Sequence, residues 1–266
     1  FKTLGMDLRN FKQMKMFIHA EGTDNSTSLK DNELRAFIRL GSDFVSNYYE
    51  YEIPLKVTPA TTSRDATIIW PEANRMVLDF SKLVQVKSDR NKSGGSYAVP
   101  YIIQDDLGNY VKIVGNPNLG DVKMAMLGVL NPQKMANDLT DDGAKKCGEV
   151  WFNELRLSNM DESGGYAALG KVDIQLADLG TVKMSGSMHS AGYGNIDQRV
   201  NQRARENLSQ FDVSANINAG KFTPKSWGVQ LPVFAGYSQT VSNPVYDPYD
   251  MDIKFVDKVK NYSGKA

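Results

Sequence analysis

The chain has 266 residues, of which 41% are hydrophobic and 23% are charged, and this ordinary globular composition argues against disorder. Its 31 Lys and Arg residues balance 31 Asp and Glu residues, so no net charge attracts nucleic acid or an anionic membrane surface. The single Cys147 excludes an intrachain disulfide and a cysteine zinc cluster, and the absence of a run of about 18 apolar residues argues against a membrane-spanning helix.

The N-terminal half is predicted to be an antiparallel, jelly-roll-like β-sandwich. Short alternating segments rich in aromatic and β-branched residues indicate its strands. These segments are residues 14–20, 34–40, 48–57, 110–114, 122–130 and 149–157. Turn-forming clusters, such as those at 41–43 and 115–118, separate them and supply the residues that chain reversals need.

One segment of this half, residues 72–86, predicts a short amphipathic helix. Its apolar residues recur at i, i+1, i+4, i+7 and i+8, which lines one helix face. They are Met76, Val77, Phe80, Leu83 and Val84. The helix is expected to end near residues 89–95, where the polar run DRNKSGG closes with two glycines.

After residue 157 the strand-like segments become longer, poorer in large apolar residues and richer in Gly, Ala, Ser and Asn. Residues 169–176 and 182–189 alternate between apolar or small and polar side chains, around a turn at 177–180. Residues 210–219 alternate over ten positions, and 228–241 do so less regularly. Two polar stretches, 197–207 and 242–252, are predicted to be solvated loops, the first with the alternative of a short surface helix.

The alternation by itself leaves two environments open for the apolar face. A soluble antiparallel sheet with one wet face has the same two-residue period as a membrane β-barrel strand. A ten-residue strand is long for a sandwich and matches the length that crosses a bilayer. The sequence pattern therefore leaves a packed core and lipid as alternatives.

Three stretches of the chain carry a resemblance to a known family. They are GEVWFNELRLSNMDESGGYAALGKVDIQLADLGTV at 148–182, AGYGNIDQRVNQRARE at 191–206 and FDVSANINAGKFTPKSWGVQLPVFAGYSQTVSNPVYDPYDMDI at 211–253. These stretches closely resemble the SprA/Sov family of outer-membrane proteins, which are required for gliding motility and type IX secretion. The family also joins sandwich-like domains to barrel segments by an EVW.NELRL strand, which is present here at residues 149–157.

This resemblance implies a role in transport. It implies that the chain is an internal fragment of a giant outer-membrane β-barrel translocon at the cell surface, through which folded cargo with type IX sorting domains passes. It assigns 1–157 to a β-sandwich domain and 158–266 to transmembrane barrel hairpins with polar loops. The implied partners are cargo, other secretion-system subunits and outer-membrane lipid, without nucleic acid or a cofactor.

On this interpretation the alternating side chains divide between lipid and a water-filled lumen, because membrane strands must close upon themselves and expose apolar side chains outward. The lipid-facing candidates are Val172, Ile174, Leu176, Val182, Met184, Phe211, Val213, Ile217, Leu231 and Val233. The lumen-facing candidates are Lys171, Asp173, Gln175, Lys183, Asp212, Asn216 and Asn218.

Catalysis and metal binding are not expected. His19 and His189 are too few for a histidine metal site, and the paired acids at 105–106 and 141–142 lie on turns where their carboxylates diverge. No P-loop, GxSxG, dinucleotide GxGxxG or complete EF-hand motif occurs.

The alternative function is a free-standing β-sandwich module that binds carbohydrate or a cell-surface partner. Its aromatic platform would come from Tyr48, Tyr49, Tyr51 and Trp70. Tyr49 and Tyr51 share a face with Ile53 and are predicted to lie in the core, so Tyr48 is the better surface candidate.

Overall fold

The computed structural model describes residues 2–23, 29–59, 65–132 and 144–263. The chain divides into two units. The first unit comprises Phe1–Asp161 and Asp250–Ile253, and the second comprises Glu162–Tyr249 and Lys254–Ala266. The sequence predicts a boundary after residue 157, whereas strand pairing continues to Met160 and the units divide after Asp161.

The described part of the first unit is built from antiparallel strands. They are β1 (Lys2–Met6), β2 (Phe11–Gly22), β3 (Arg35–Gly41), β4 (Tyr48–Pro54), β5 (Met76–Asp79), β6 (Tyr101–Gln104), β7 (Tyr110–Val114), β8 (Val122–Leu130) and β9 (Gly148–Met160). Helices α1 (Ala66–Ile69) and α2 (Phe80–Ser93) lie between β4 and β6 in the chain.

Two sheets of the first unit share one hydrophobic core, as a sandwich requires. The six-stranded sheet has the order β1-β8-β3-β4-β7-β6, and the three-stranded sheet has the order β5-β2-β9. Ile38 and Ile113 of the first sheet, Met16 of the second and Leu83 of α2 belong to the same buried cluster. Each such side chain contributes about 1.5–3 kcal/mol by leaving water. The uneven sheets differ from a jelly roll, whose eight strands form two Greek keys.

The predicted helix over 72–86 is partly wrong. Met76–Asp79 forms β5, because its backbone pairs with β2 and only Met76 and Leu78 of this stretch turn into the core. Four residues are too few to separate a two-residue from a 3.6-residue period. Helix α2 follows, and it ends where Gly94 adopts a left-handed φ of 70°.

The described part of the second unit contains a four-stranded antiparallel sheet of order β10-β11-β12-β13. Its strands are β10 (Ala167–Leu176), β11 (Gly180–His189), β12 (Glu206–Asn218) and β13 (Pro232–Pro244). Helix α3 (Phe255–Ser263) follows. The sheet is open, so the described hairpins do not form a closed barrel by themselves. No helix of the described residues is both long and apolar enough to cross a membrane.

Three sequence expectations about helices and loops need correction. The structure contains α1 and α3 besides the one predicted helix. The stretch 197–207 contains a short 3-10 helix at Val200–Gln202, which agrees with the alternative of a short surface helix, but its last two residues already belong to β12. The stretch 242–252 is expected to be solvated, yet Asp247 and Asp252 are buried. The Asp247 carboxylate accepts hydrogen bonds from Lys258 and from the nearby Tyr249 amide, and the Asp252 carboxylate accepts one from the Leu119 amide.

Candidate functional site

The four-stranded sheet of the second unit is the candidate site, and its register is set by tight local geometry. β10 and β11 are joined by residues 177–179, and Leu176 pairs with Gly180 across the turn. A Cβ atom at Gly180 would lie 2.1 Å from the carbonyl oxygen of Asn216 on β12. Only glycine therefore lets β11 start in this register against β12.

The register places the predicted lipid-facing residues on a single face, here called the apolar face. Val172 of β10 lies opposite Met184 of β11, and Met184 lies opposite Val213 of β12. Opposite residues in an antiparallel pair point to the same side of a sheet. The same pairing places Ile174, Leu176, Val182, Phe211, Ile217 and Val233 on this face. Leu231 immediately precedes β13 and is half exposed.

The predicted lumen-facing residues lie together on the opposite face, here called the polar face. Asp173 pairs with Lys183, and Lys183 pairs with Ser214 on the next strand. Lys171, Gln175, Asp212, Asn216 and Asn218 have the same parity. The Lys171 Nζ lies 3.2 Å from an Asp173 carboxylate oxygen. Cation and anion thus alternate along this face.

The polar face also carries a shallow depression. Its lining includes Lys171, Lys183, Ser185, Asp212 and Ser238, which come from all four strands. Phe234 is an exception to the polar character, because it shares this face with Asn216 and is 73% exposed. The sequence pattern does not identify Phe234 as a residue of the polar face. Only the pairing of Phe234 with Asn216 assigns it to this face.

The apolar side chains of this face are not packed into a core. Among the residues that the structure describes, no apolar side chain of β10–β13 is buried. Val172 is 54% exposed and Tyr237, which lies opposite Val213, is 60% exposed. Met188 and Val241 extend the same face toward its other end. Contiguous exposed apolar surface of this kind marks a site of contact with another protein or with a membrane.

The alternative aromatic platform is not available as a surface. Tyr49 and Tyr51 are buried in the core, as the sequence predicts. The prediction that Tyr48 lies at the surface is wrong, because the guanidinium of Arg39 covers its ring at 3.9 Å and leaves the residue 7% exposed. Trp70 packs against the ring of His19 at 5.7 Å between centroids.

The candidate groups for catalysis occupy structural positions. His19 Nδ1 lies 2.6 Å from the carbonyl oxygen of Ile69. Burial by itself would raise the pKa of Asp105. Hydrogen bonds from Asn109, Lys82 and Leu107 outweigh burial and lower this pKa, so the ionised carboxylate is stabilised in the turn. Residues 141–142 lie outside the described residues. Within the described ranges, no group of three or more His, Cys, Asp or Glu residues could hold a metal ion.

The sequence comparisons agree with the resemblance noted above. A family model described as SprA_N, motility related/secretion protein, matches residues 1–259 and so spans both units. No curated protein matches the chain.

Proposed function

The chain belongs to the SprA_N family of motility related/secretion proteins, and from this membership we propose that its four-stranded sheet is a section of the wall of an outer-membrane β-barrel translocon. In this proposal the barrel passes folded cargo with type IX sorting domains and supports gliding motility. The single observation that carries the proposal is the exposed apolar face of β10–β13. The role is structural, without a catalytic step.

Strand length supports a membrane location. β10 and β11 have ten residues each. At about 3.3 Å per residue and a tilt of about 45°, ten residues span roughly 23 Å, close to the ~25 Å apolar band of outer-membrane barrels. Lipid offers no hydrogen-bond partners, so the open edges at β10 and β13 must pair with further strands. The sheet is therefore proposed to be one part of a larger closed wall.

The polar face is proposed to border the lumen. Lys171 and Lys183 offset Asp173 and Asp212, so the face has both signs of charge and no dominant field. A folded cargo protein of either net charge is then not strongly attracted to the polar face. Outer-membrane lipid on one side, cargo on the other, and further secretion-system subunits are the proposed partners.

Paired nitroxide labels test the proposed orientation. In the complete barrel-forming protein that contains this chain, reconstituted in phosphatidylcholine vesicles, labels at Ile174 and Val213 are expected to collide mainly with oxygen, which concentrates in acyl chains. Labels at the adjacent residues Asp173 and Asp212 on the polar face are expected to collide mainly with a water-soluble nickel complex. Equal accessibility of the two pairs to the nickel complex would refute the assignment of lipid to the apolar face.

A further inference from the structure

A four-residue segment near the end of the chain is inserted into the first unit. Asp250–Ile253 belongs to the first unit, although the residues on either side of it belong to the second. Asp252 is 4% exposed, and both of its carboxylate oxygens are bound. Oδ1 accepts a hydrogen bond from the Leu119 backbone amide at 2.6 Å. Oδ2 accepts from the Tyr49 hydroxyl at 2.7 Å and from Lys87 Nζ at 3.2 Å.

Neighbouring residues of the segment are held by polar groups as well. Lys87 Nζ lies 3.0 Å from a carboxylate oxygen of Asp250, and the other oxygen accepts a hydrogen bond from Asn91 at 3.2 Å. The Arg9 guanidinium donates to the Met251 carbonyl oxygen at 3.0 Å. Polar groups from β4, α2 and the loops around Arg9 and Leu119 thus converge on three consecutive residues, Asp250, Met251 and Asp252.

The groove that holds the segment is cationic and buried. Lys87 is 1% exposed, and apart from the two carboxylates it donates to the Pro117 carbonyl oxygen at 2.9 Å. An ammonium group at this depth requires an anion beside it, because burial of an unpaired charge is costly. Burial, and then the Asp252 carboxylate, raises the pKa of Tyr49 well above its usual range, so the hydroxyl remains a donor.

The segment resembles a bound ligand more than a part of the core. The hydrophobic cluster of the first unit contains none of its four residues. Met251 is 49% exposed, and Ile253 is the apolar side chain of the segment that is buried. Its attachment is therefore mainly by hydrogen bonds and ion pairs, and another segment with carboxylates at the same positions could make these bonds in its place.

We propose that the groove formed by Arg9, Tyr49, Lys87, Asn91 and residues 117–119 is a recognition site for a short acidic segment, and that Asp250–Ile253 occupies it in cis as a releasable latch. The latch consists of the four residues that follow Tyr249 in the chain, and its release opens the groove to another acidic peptide of the same pattern. This inference does not depend on the proposed membrane role of the sheet.

A peptide added in trans tests the groove. The probe is a fluorescein-labelled peptide of the sequence DPYDMDIK, which corresponds to residues 247–254. Asp252→Ala in the full chain removes the acceptor of Tyr49, Lys87 and Leu119 and is expected to open the groove. The unmodified chain is expected to bind the probe roughly ten- to a hundredfold more weakly than the Asp252→Ala chain does. Its own tethered segment competes with the probe at a high effective concentration.

The matched control is Asp257→Ala, which removes an exposed carboxylate five residues further along the chain. This variant is expected to bind the probe as weakly as the unmodified chain. A second control is a probe with Asn in place of the residue that corresponds to Asp252. It is expected to lose most of its affinity for the Asp252→Ala chain.

Amide exchange at Leu119 gives an independent readout, since its N–H is bonded to Asp252. Exchange should be faster in Asp252→Ala and slow again when the probe is added. Equal probe binding by the unmodified chain and Asp252→Ala, or no binding by either, would overturn the proposal. Loss of the cooperative fold in Asp252→Ala, measured by circular dichroism, would overturn it too, because the segment would then be an integral part of the fold.

Discussion

Met184 and Val213 lie directly opposite each other on β11 and β12, and neither is buried. Val213 stands near the middle of its thirteen-residue strand. In the proposed wall this pair lies at the centre of the bilayer, where a cation has no polar partner.

Val213→Lys is therefore expected to destabilise the chain in lipid. A lysine on the lipid face near the bilayer midplane costs about 2–4 kcal/mol. The adjacent Ser214→Lys, on the polar face, is the matched control and is expected to cost much less. Denaturant unfolding of both variants, each made in the complete barrel-forming protein and reconstituted in phosphatidylcholine vesicles, measures the difference. Equal midpoints for the two variants would contradict the assignment of the faces.

Bulky side chains on the polar face are expected to impede secretion. Asp212→Trp and Asn216→Trp narrow the proposed lumen without changing the apolar face. Cells that carry this double variant in the secreting protein should accumulate cargo inside and release less into the medium, while the variant reaches the outer membrane at its normal level. Unchanged release of cargo, at normal levels of the variant, would argue against a lumen on this side.

The free edge of β13 is expected to cause self-association of the chain in plain buffer. Unpaired strand edges template further pairing, and a lysine on the edge strand opposes it. Val241→Lys on β13 should lower the sedimentation coefficient of the associated chain. Val229→Lys is the control, because Val229 has nearly the same exposure as Val241 but lies outside the strand. A similar effect of both substitutions would point to general surface charge instead.

A buried charge cluster stabilises the six-stranded sheet. The Glu50 carboxylate is fully buried between Lys112, at 2.5 Å, and Arg39. Lys112→Met is expected to cost about 3–5 kcal/mol, because it leaves a buried carboxylate without one of its cations. Lys123→Met breaks only an exposed pair with Asp121 and should cost less than about 1 kcal/mol.

Chemical denaturation of these two variants measures the difference. Adding Glu50→Gln to Lys112→Met should recover part of the loss, since one of the two buried carboxylates that lose Lys112, those of Glu50 and Glu52, is then uncharged. A double variant that is less stable than the sum of the two single variants would contradict this account.

The turn between β3 and β4 makes a pH-dependent contribution. The Asp43 carboxylate accepts hydrogen bonds from the amides of Val45, Ser46 and Asn47. Hydrogen bonding, chiefly from the Ser46 amide, lowers the pKa of Asp43 from 3.8 to about 2. The folded chain binds this proton less readily than the unfolded chain, so the contribution is present above pH 3.8 and is lost as the pH falls through about 2.

Asp43→Asn should therefore be less stable than the unmodified chain at pH 5 and equal to it near pH 2. The difference should be small, below about 1 kcal/mol, because the carboxylate is largely solvated. Denaturant unfolding of both chains from pH 2 to 5 measures it. A constant difference over this range would show that the charge of Asp43 makes no contribution.

The sequence by itself predicted most of the strands and the division of side chains between the two faces of the second sheet. Successive side chains of a β-strand point to opposite faces of the sheet, whichever residues of the partner strand lie beside them. Val172 and Asp173 therefore point to opposite sides in any register. The predicted strands over 34–40 and 110–114 agree with the structure almost to the residue, because turn-forming residues follow each of them directly.

Only the tertiary structure decided what stands against each side chain. Met76 and Leu78 became a strand because β2 offers a hydrogen-bonding edge at that place. Tyr48 became buried because Arg39, nine residues earlier, covers its ring. The sequence predicts that Asp252 is a solvated loop residue. In the structure it is buried through bonds to Tyr49, Lys87 and Leu119, which are more than 130 residues away in the chain. Such contacts come from chain reversals over long distances, and local periodicity contains no information about them.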